Sequence, residues 1–204
     1  MKKSHIASLF VAFLLNSFIG NAQSVAVGIN YGNSVLESSS FKKNSFTKGM
    51  SFGLEKEIFK NFALGLKGSV NNRSFDFWSI AKQQNAYSNL NSLGVSIEAS
   101  KYLKLGSEKI YGIIGVGGDF LWHYATKSYY YDNSGGRSIS TNDFSGVNYL
   151  FSYRAGFSVR VGNRSKIDTE IISSMNLSSR YKSNVNVLSI DQHMLRVTYA
   201  ISMK

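Results

Sequence analysis

The sequence lacks cysteine and proline altogether, is sparing with charge, and has no long apolar run after its first 22 residues. The missing cysteine excludes a disulfide framework, a thiolate metal site and a lipid-modified N-terminal cysteine. Charged residues make up 17% of the 204 positions, below the ~25% of ordinary soluble domains. With no further stretch long and apolar enough, a membrane-spanning helix is excluded beyond the N-terminus. An envelope protein without such helices can still cross a bilayer as a closed β-barrel, because only closure pairs every backbone N–H and C=O. What the chain has in quantity is aromatic and glycine: 14 Phe, 12 Tyr and 18 Gly. A chain of this length is expected to form one domain, and a single all-β barrel can use all of it.

The first 22 residues have the pattern of a secretory leader. Met1–His5 is a short basic segment, Ile6–Ile19 is apolar, and Gly20-Asn21-Ala22 puts small residues at both cleavage-specifying positions. The apolar part is shorter than the ~18–20 residues of a membrane anchor. Cleavage near Ala22 is expected, giving a leader over 1–22 and one barrel domain over 23–204. The formal charge is +11. The basic residues are scattered between loops and strands instead of forming one patch, and the leader directs the chain out of the cytoplasm. Nucleic acid is therefore not an expected partner.

The most informative stretch is Val147–Val161, VNYLFSYRAGFSVRV. Its odd positions are apolar or aromatic, and its even positions are mostly small or polar, with Arg154, Arg160 and one apolar residue, Leu150. Side chains alternate across a strand, so this is one long strand with two unlike faces. Its length exceeds the ~9–11 residues a transmembrane strand needs. A soluble lipocalin-like barrel alternates too, but its outer face is dense in Lys and Glu. Here the polar face is mainly Ser, Gly and Asn, as suits the crowded interior of a small membrane barrel.

The same alternation recurs along the chain. Strands are expected at Ser24–Gly32, Phe46–Ile58, from Phe62, at Leu90–Leu103, Lys109–Thr126, Val147–Val161 and Lys166–Tyr181, and through Leu195–Met203. In the third, the period slips after Asn71, since Phe75 and Phe77 change parity; either a bulge restores the count or the strand has left the bilayer there. Long connections follow strands one, three, five and seven, and short ones follow two, four and six. That rhythm predicts an all-β, eight-stranded antiparallel up-and-down transmembrane barrel with external loops on one rim and periplasmic turns on the other.

With its leader, its repeated hairpins and the segment Phe59-Lys60-Asn61-Phe62-Ala63-Leu64-Gly65-Leu66, the chain resembles the small outer-membrane β-barrel proteins of the Bacteroidetes type. It is akin in size to the eight-stranded OmpA and OmpX barrels. The resemblance covers essentially the whole mature chain and implies location in the bacterial outer membrane, outer-membrane lipid as surroundings, and delivery by the barrel assembly machinery. Such barrels usually end on an aromatic residue read by that machinery. This chain ends Tyr199-Ala200-Ile201-Ser202-Met203-Lys204, so the reading is expected to rest on Tyr199 and Met203.

Several constellations bear on function. Glu55, Lys67, Glu98, Asp119, Arg154, Arg160, Asp168, Glu170 and Arg196 all fall on the inward parity. A narrow barrel has room only for its own side chains, so both signs together predict a paired plug; a gated ion path is the functional alternative. Asp119 and His123 share a face but stand ~13 Å apart as i and i+4 on a strand, too far for a catalytic hydrogen bond. A convergent His–Ser pair at one rim would instead favour a lipid-modifying barrel enzyme, the second functional reading; a soluble periplasmic ligand-binding barrel is the third. The glycines of Gly112–Gly118 are followed by more strand and not by a helix, so they do not make a nucleotide loop. No HExxH, Walker or EF-hand pattern occurs, and no cofactor, metal or catalytic residue is expected.

Trp78, Trp122, Tyr124 and Phe144 are expected at the long-loop rim, and Phe59 and Phe62 at the short-turn rim, as interfacial aromatic belts. Carbohydrate stacking is a secondary reading of these rings. The longest connection, Lys127–Asp143, carries Tyr129, Tyr130, Tyr131 and Arg137. It is the candidate binding loop for an envelope or extracellular protein partner, unless its tyrosines simply extend the hairpin above the membrane. The primary expectation is a non-enzymatic structural or interaction protein working through its external loops.

Overall fold

The computed structural model describes residues 23–37, 42–79, 84–131, 136–141, 146–177 and 189–203. The expected leader, the cleavage point and Phe144 lie outside them. The described chain is all strand and turn: β1 (Ser24–Glu37), β2 (Lys42–Phe59), β3 (Phe62–Ser79), β4 (Gln84–Lys104), β5 (Ile110–Tyr131), β6 (Arg137–Thr141), β7 (Gly146–Arg160), β8 (Ser165–Asn176) and β9 (Ser189–Ser202). Eight of these strands pair antiparallel in a ring. The order runs β4-β3-β2-β1-β9-β8-β7-β5, and β4 pairs with β5 to close it. The ninth, β6, folds back on the end of β5, Lys127 facing Thr141 and Tyr131 facing Arg137. The expected barrel is thus present, with one short added strand.

Turn chemistry explains the tight rim. Asn61 takes φ 63°, a left-handed conformation that Asn tolerates better than most residues. Its N–H donates to Glu57 Oε1 at 2.8 Å. Gly106 does the same service between β4 and β5, at φ 71°.

Over most of the wall, the distribution of polarity is the reverse of a soluble protein's. Ile29, Met50, Phe52, Ile97, Phe157 and Ile171 are each about 60% exposed on the outside. Lys67, Glu98, Arg154, Glu170 and Arg196 are buried inside. Towards the long-connection rim this order inverts. The interior there is an apolar cluster of Leu36, Phe75, Phe77, Ala86, Leu90, Tyr130 and Ile190. The outward positions of β3 at that height are Asn72, Ser74 and Asp76.

That inversion accounts for the slipped period in β3. Its pairing with β4 runs without interruption from Phe62–Lys101 to Ser79–Gln84, so no bulge lies after Asn71. Odd positions point inward throughout, and Phe75 and Phe77 belong to an inside that has become apolar. The bulge is on β5 instead: Asn91 faces Ala125 while Ser92 faces His123, leaving Tyr124 extra. It switches the inward parity of β5 from Leu121 and His123 below to Ser128 and Tyr130 above.

The strands on this side also run further than their alternation suggested. β1 continues to Glu37, β2 begins at Lys42, β4 begins at Gln84 and β5 continues to Tyr131. The expected loop Lys127–Asp143 is therefore largely a hairpin. Polar, Ser-rich and Lys-rich strand ends read as loop because the outside there is polar and the apolar positions have moved to the inside.

Candidate functional site

The lumen is filled in three tiers. The middle tier is an ion-pair hub built around Glu98 on β4. Glu98 Oε2 lies 2.8 Å from Lys67 Nζ, and Oε1 lies 2.7 Å from Arg196 Nη1. Arg154 Nη1 also donates to Glu98, and its other terminal nitrogen donates to Ser100. Glu170 forms the second pole, accepting from Arg196 Nε at 3.1 Å and Nη2 at 2.8 Å. Arg154 Nη1 approaches Glu170 Oε1 to 3.5 Å. Three cations thus face two carboxylates, and Asp119 lines the same small cavity beside Lys67, Glu98 and Arg196.

These groups come from five different strands, so the hub ties the ring across its interior. Small residues make the room. A Cβ at Gly115 would lie 2.6 Å from Arg154 Nε, and one at Gly117 would lie 3.4 Å from Glu98 Cγ. The glycine-rich segment of β5 is therefore the floor on which the hub rests, as expected for small residues inside a narrow barrel.

The lower tier, at the short-turn rim, joins Glu55 and Asp168 through a residue the sequence reading missed. Lys166 Nζ lies 2.8 Å from Glu55 Oε1 and 3.2 Å from Asp168 Oδ2. Tyr102 Oη donates to Glu55 Oε2 at 3.0 Å, and the Lys166 ammonium also sits 4.2 Å from the Tyr102 ring centroid. Arg160 does not join the network. It is the last residue of β7, exposed in the mouth, with its guanidinium 5.0 Å from the Tyr111 ring centroid. Correct parity did not suffice there, because the barrel ends before enclosing the side chain.

The upper tier holds Arg73, wholly buried and also missed because it follows the apparent period slip. Its partners are neutral. Nε donates to Ser34 Oγ at 3.2 Å, Nη2 donates to Gln192 Oε1 at 2.6 Å, and Nη1 donates to Ser92 Oγ. His123 is buried nearby against Asn148 Nδ2, at 2.7 Å from Nε2. Asn148 Oδ1 is taken by Asn176, so His123 Nε2 accepts from the amide. The Asp119–His123 pairing is not formed, as the strand spacing required. Above Arg73 lies the apolar cluster.

Of the candidate binding tyrosines, Tyr130 is buried in that apolar cluster, Tyr129 is half-buried and Tyr131 is exposed. The Tyr129 and Tyr87 rings stack at 6.2 Å, and Arg137 lies 4.0 Å over Tyr129. Trp78 is not in the rim belt with Trp122 and Tyr124. It stands several residues beyond it, in register with Asn85, which in turn faces Tyr131. At the other rim Phe59 and Phe62 are in ring contact at 6.3 Å.

One His–Ser pair does form. Ser173 and His193 face each other across β8 and β9, with Oγ 2.9 Å from Nδ1 on the outer surface. Among the described residues no carboxylate holds the other ring nitrogen. Asp191, two positions away, accepts instead from the Asn176 N–H at 2.8 Å.

No protein-family model matches the chain, and no curated protein does. Solved structures that resemble it include three small outer-membrane barrels. Neisserial surface protein A is 14% identical, with 88% of this chain and 97% of that one covered, at a TM-score of 0.46. OprG from Pseudomonas aeruginosa is 10% identical, covering 89% and 94%, at 0.48. Ail of Yersinia pestis, solved with the heparin analogue sucrose octasulfate, is 15% identical, covering 88% and 99%, at 0.42. The closed eight-stranded ring is given by this chain's own strand pairing.

Proposed function

We propose that this protein is an outer-membrane β-barrel with an occluded lumen, which presents an external sheet for interaction. The observation that carries this reading is the inside-out wall: large apolar side chains exposed around the ring, with five buried, mutually paired charges within. In water that exterior would be a contiguous apolar surface far beyond what soluble monomers expose. In a bilayer the apolar band is solvated by lipid and the paired backbone leaves no open edge there. The hub, the Arg73 cradle and the apolar cluster stack along one axis, which supports a structural role for the lumen over a path for solutes.

The leader over 1–22, with cleavage near Ala22, fits export to the outer membrane, and insertion there is the work of the barrel assembly machinery. The Bacteroidetes-type affiliation rests on the sequence resemblance. Envelope fractionation tests the assignment, followed by gel migration before and after boiling. The mature protein is expected in the outer-membrane fraction and to migrate as a compact species until boiled. A monodisperse protein in detergent-free buffer would refute the reading.

The Ser173–His193 contact favours a second reading, hydrolysis of a lipid ester at the outer surface. The contact joins residues directly opposite on neighbouring strands, where side chains meet without any special design. A nucleophilic serine also needs its base oriented through the second ring nitrogen. Release of fatty acid from outer-membrane lipid by the wild type, abolished in Ser173→Ala, would replace the first reading with this one.

A further inference from the structure

Beyond the lipid-facing band, the ring opens between β2 and β3, while a sheet of β3, β4, β5 and β6 continues, packed through its inward side with Leu36 of β1 and Ile190 of β9. The β2–β3 ladder stops at Phe46–Ser74, whereas β3 continues to Ser79 paired with β4. β4 pairs onward with the end of β5, and β5 with β6. Cross-strand register then places residues in rows on the outward face. One row reads Trp78, Asn85, Tyr131, Arg137, and the next reads Asp76, Tyr87, Tyr129, Ile139. The inward side is already committed, with Phe75, Phe77 and Tyr130 in the apolar cluster.

A cavity opens at the free end of this sheet, lined by Trp78, Tyr131, Asn85 and Asp76 of the outward rows, by Lys43 of β2, and by Phe77 and Ala86 at the edge of the apolar cluster. Trp78 is 51% exposed and Tyr131 44%. Standing on strands two apart, their backbones are about 10 Å from each other, with Asn85 between. Neither ring belongs to the buried cluster, and both lie above the height at which aromatic side chains anchor a barrel in the interface.

We infer that this cavity binds a neutral saccharide, the Trp78 and Tyr131 rings receiving the apolar faces of sugar residues while Asn85, Asp76 and Lys43 hydrogen-bond their hydroxyls. Flat rings with polar groups between them match the chemistry of a sugar, which has C–H-rich faces and hydroxyls around its edge. A protein surface would more naturally fill the cavity with an apolar anchor and leave these three polar groups unmatched. The lining also selects against charge. One carboxylate and one ammonium balance, whereas a sulfated glycan or nucleic acid would call for a cluster of cations. Asp76 accepts two hydroxyl donors readily, and Lys43 donates to ring or hydroxyl oxygens.

This inference rests on the outer-membrane reading above, and the test separates the two. The chain has two tryptophans, so Trp122→Phe leaves Trp78 as the reporter. The full-length mature protein, folded in detergent micelles and verified by its heat-modifiable migration, is titrated with hexasaccharides of glucose, mannose and N-acetylglucosamine. A heparin hexasaccharide serves as the charged control. The expected result is a saturable change in Trp78 emission with at least one neutral hexasaccharide. Affinity should fall roughly tenfold or more in both Asp76→Ala and Tyr131→Ala, each still heat-modifiable. No saturable change with any neutral hexasaccharide, tighter binding of heparin, or undiminished affinity in both variants would overturn the inference. A protein that folds and binds no sugar refutes only the saccharide site, whereas one that needs no detergent refutes the membrane reading itself.

Discussion

Replacing Glu98 by glutamine removes the carboxylate that holds all three cations of the hub most closely; Glu170 reaches Arg196 at 2.8 Å but Arg154 only at 3.5 Å and Lys67 only at 4.0 Å. Lys67 at 2.8 Å, Arg196 at 2.7 Å and Arg154 all point at it. The variant keeps the size of the side chain and one carbonyl oxygen, so no cavity confuses the result. Three buried cations would then face Glu170, with Asp119 beside them. Lys67 suffers most, because its other carboxylate, Glu170, is 4.0 Å away. Arg196 keeps its two bonds to Glu170. Breaking a buried pair from one side leaves uncompensated charge and costs about 3–5 kcal/mol. Urea unfolding from lipid vesicles, followed by tryptophan fluorescence and by gel migration, should show a loss of that size. A second change, Lys67→Met, removes the cation left without a partner and should recover about half of the loss, as expected for coupled neighbours. Unchanged stability in Glu98→Gln, or strictly additive losses in the double variant, would show that the hub is not the electrostatic unit described here.

Phe151 faces outward on β7, so Phe151→Arg should destabilise the barrel in vesicles by about 2–4 kcal/mol if that face meets the bilayer midplane; unchanged stability would remove lipid from this face. Phe77→Ala opens the apolar cluster and should cost about 3–5 kcal/mol locally, read as faster proteolysis of the β3–β4 and β5–β6 hairpins while the barrel stays heat-modifiable. Planar bilayer recordings of the purified protein should show no sustained porin-like current, since three filled tiers block the axis. Replacing Tyr129 and Tyr131 by Ser should leave assembly intact and weaken capture of an external partner; adding Tyr130→Ser should loosen the external sheet as well, because that ring is buried.

The barrel was legible wherever lipid imposes alternation. Val147–Val161 has an apolar outside and, Leu150 apart, a small or polar inside, and β7 occupies nearly the same residues. Legibility failed where the solvent changes. In β3 the strand passes from lipid to water, so Asn72, Ser74 and Asp76 take the outside and Phe75 and Phe77 the inside. Read with a single rule, that reversal looks like a slip, and it hid Arg73. The true bulge, at Tyr124, was silent because parity and polarity change there together. Charge parity predicted Glu98, Lys67, Arg154, Glu170 and Arg196, but not that Arg160 lies past the end of the enclosing wall. Lys166 was passed over although it opens the expected strand Lys166–Tyr181 on the same parity as Asp168 and Glu170. The three-tyrosine segment showed its composition but not that the middle ring is buried, which depends on pairing with β4 and β6.

The reversal of polarity also explains why the external sheet is suited to binding. A strand that merely stopped at the membrane surface would leave a loop there, costly to order on contact with a partner. Here the wall continues beyond the lipid-facing band and acquires a small apolar core of its own, from Leu36 to Ile190. That core lets the outward face of β3, β4, β5 and β6 carry polar and aromatic residues on a rigid support. Rings fixed by register and held from behind lose little freedom when a ligand covers them. The tier that closes the lumen is therefore also the tier that stiffens the binding face. A substitution that loosens the apolar cluster away from the cavity, such as Leu90→Ala, should weaken external binding without any contact with the ligand, whereas one in the hub, such as Glu98→Gln, should lower barrel stability and leave the affinity of the remaining folded protein unchanged.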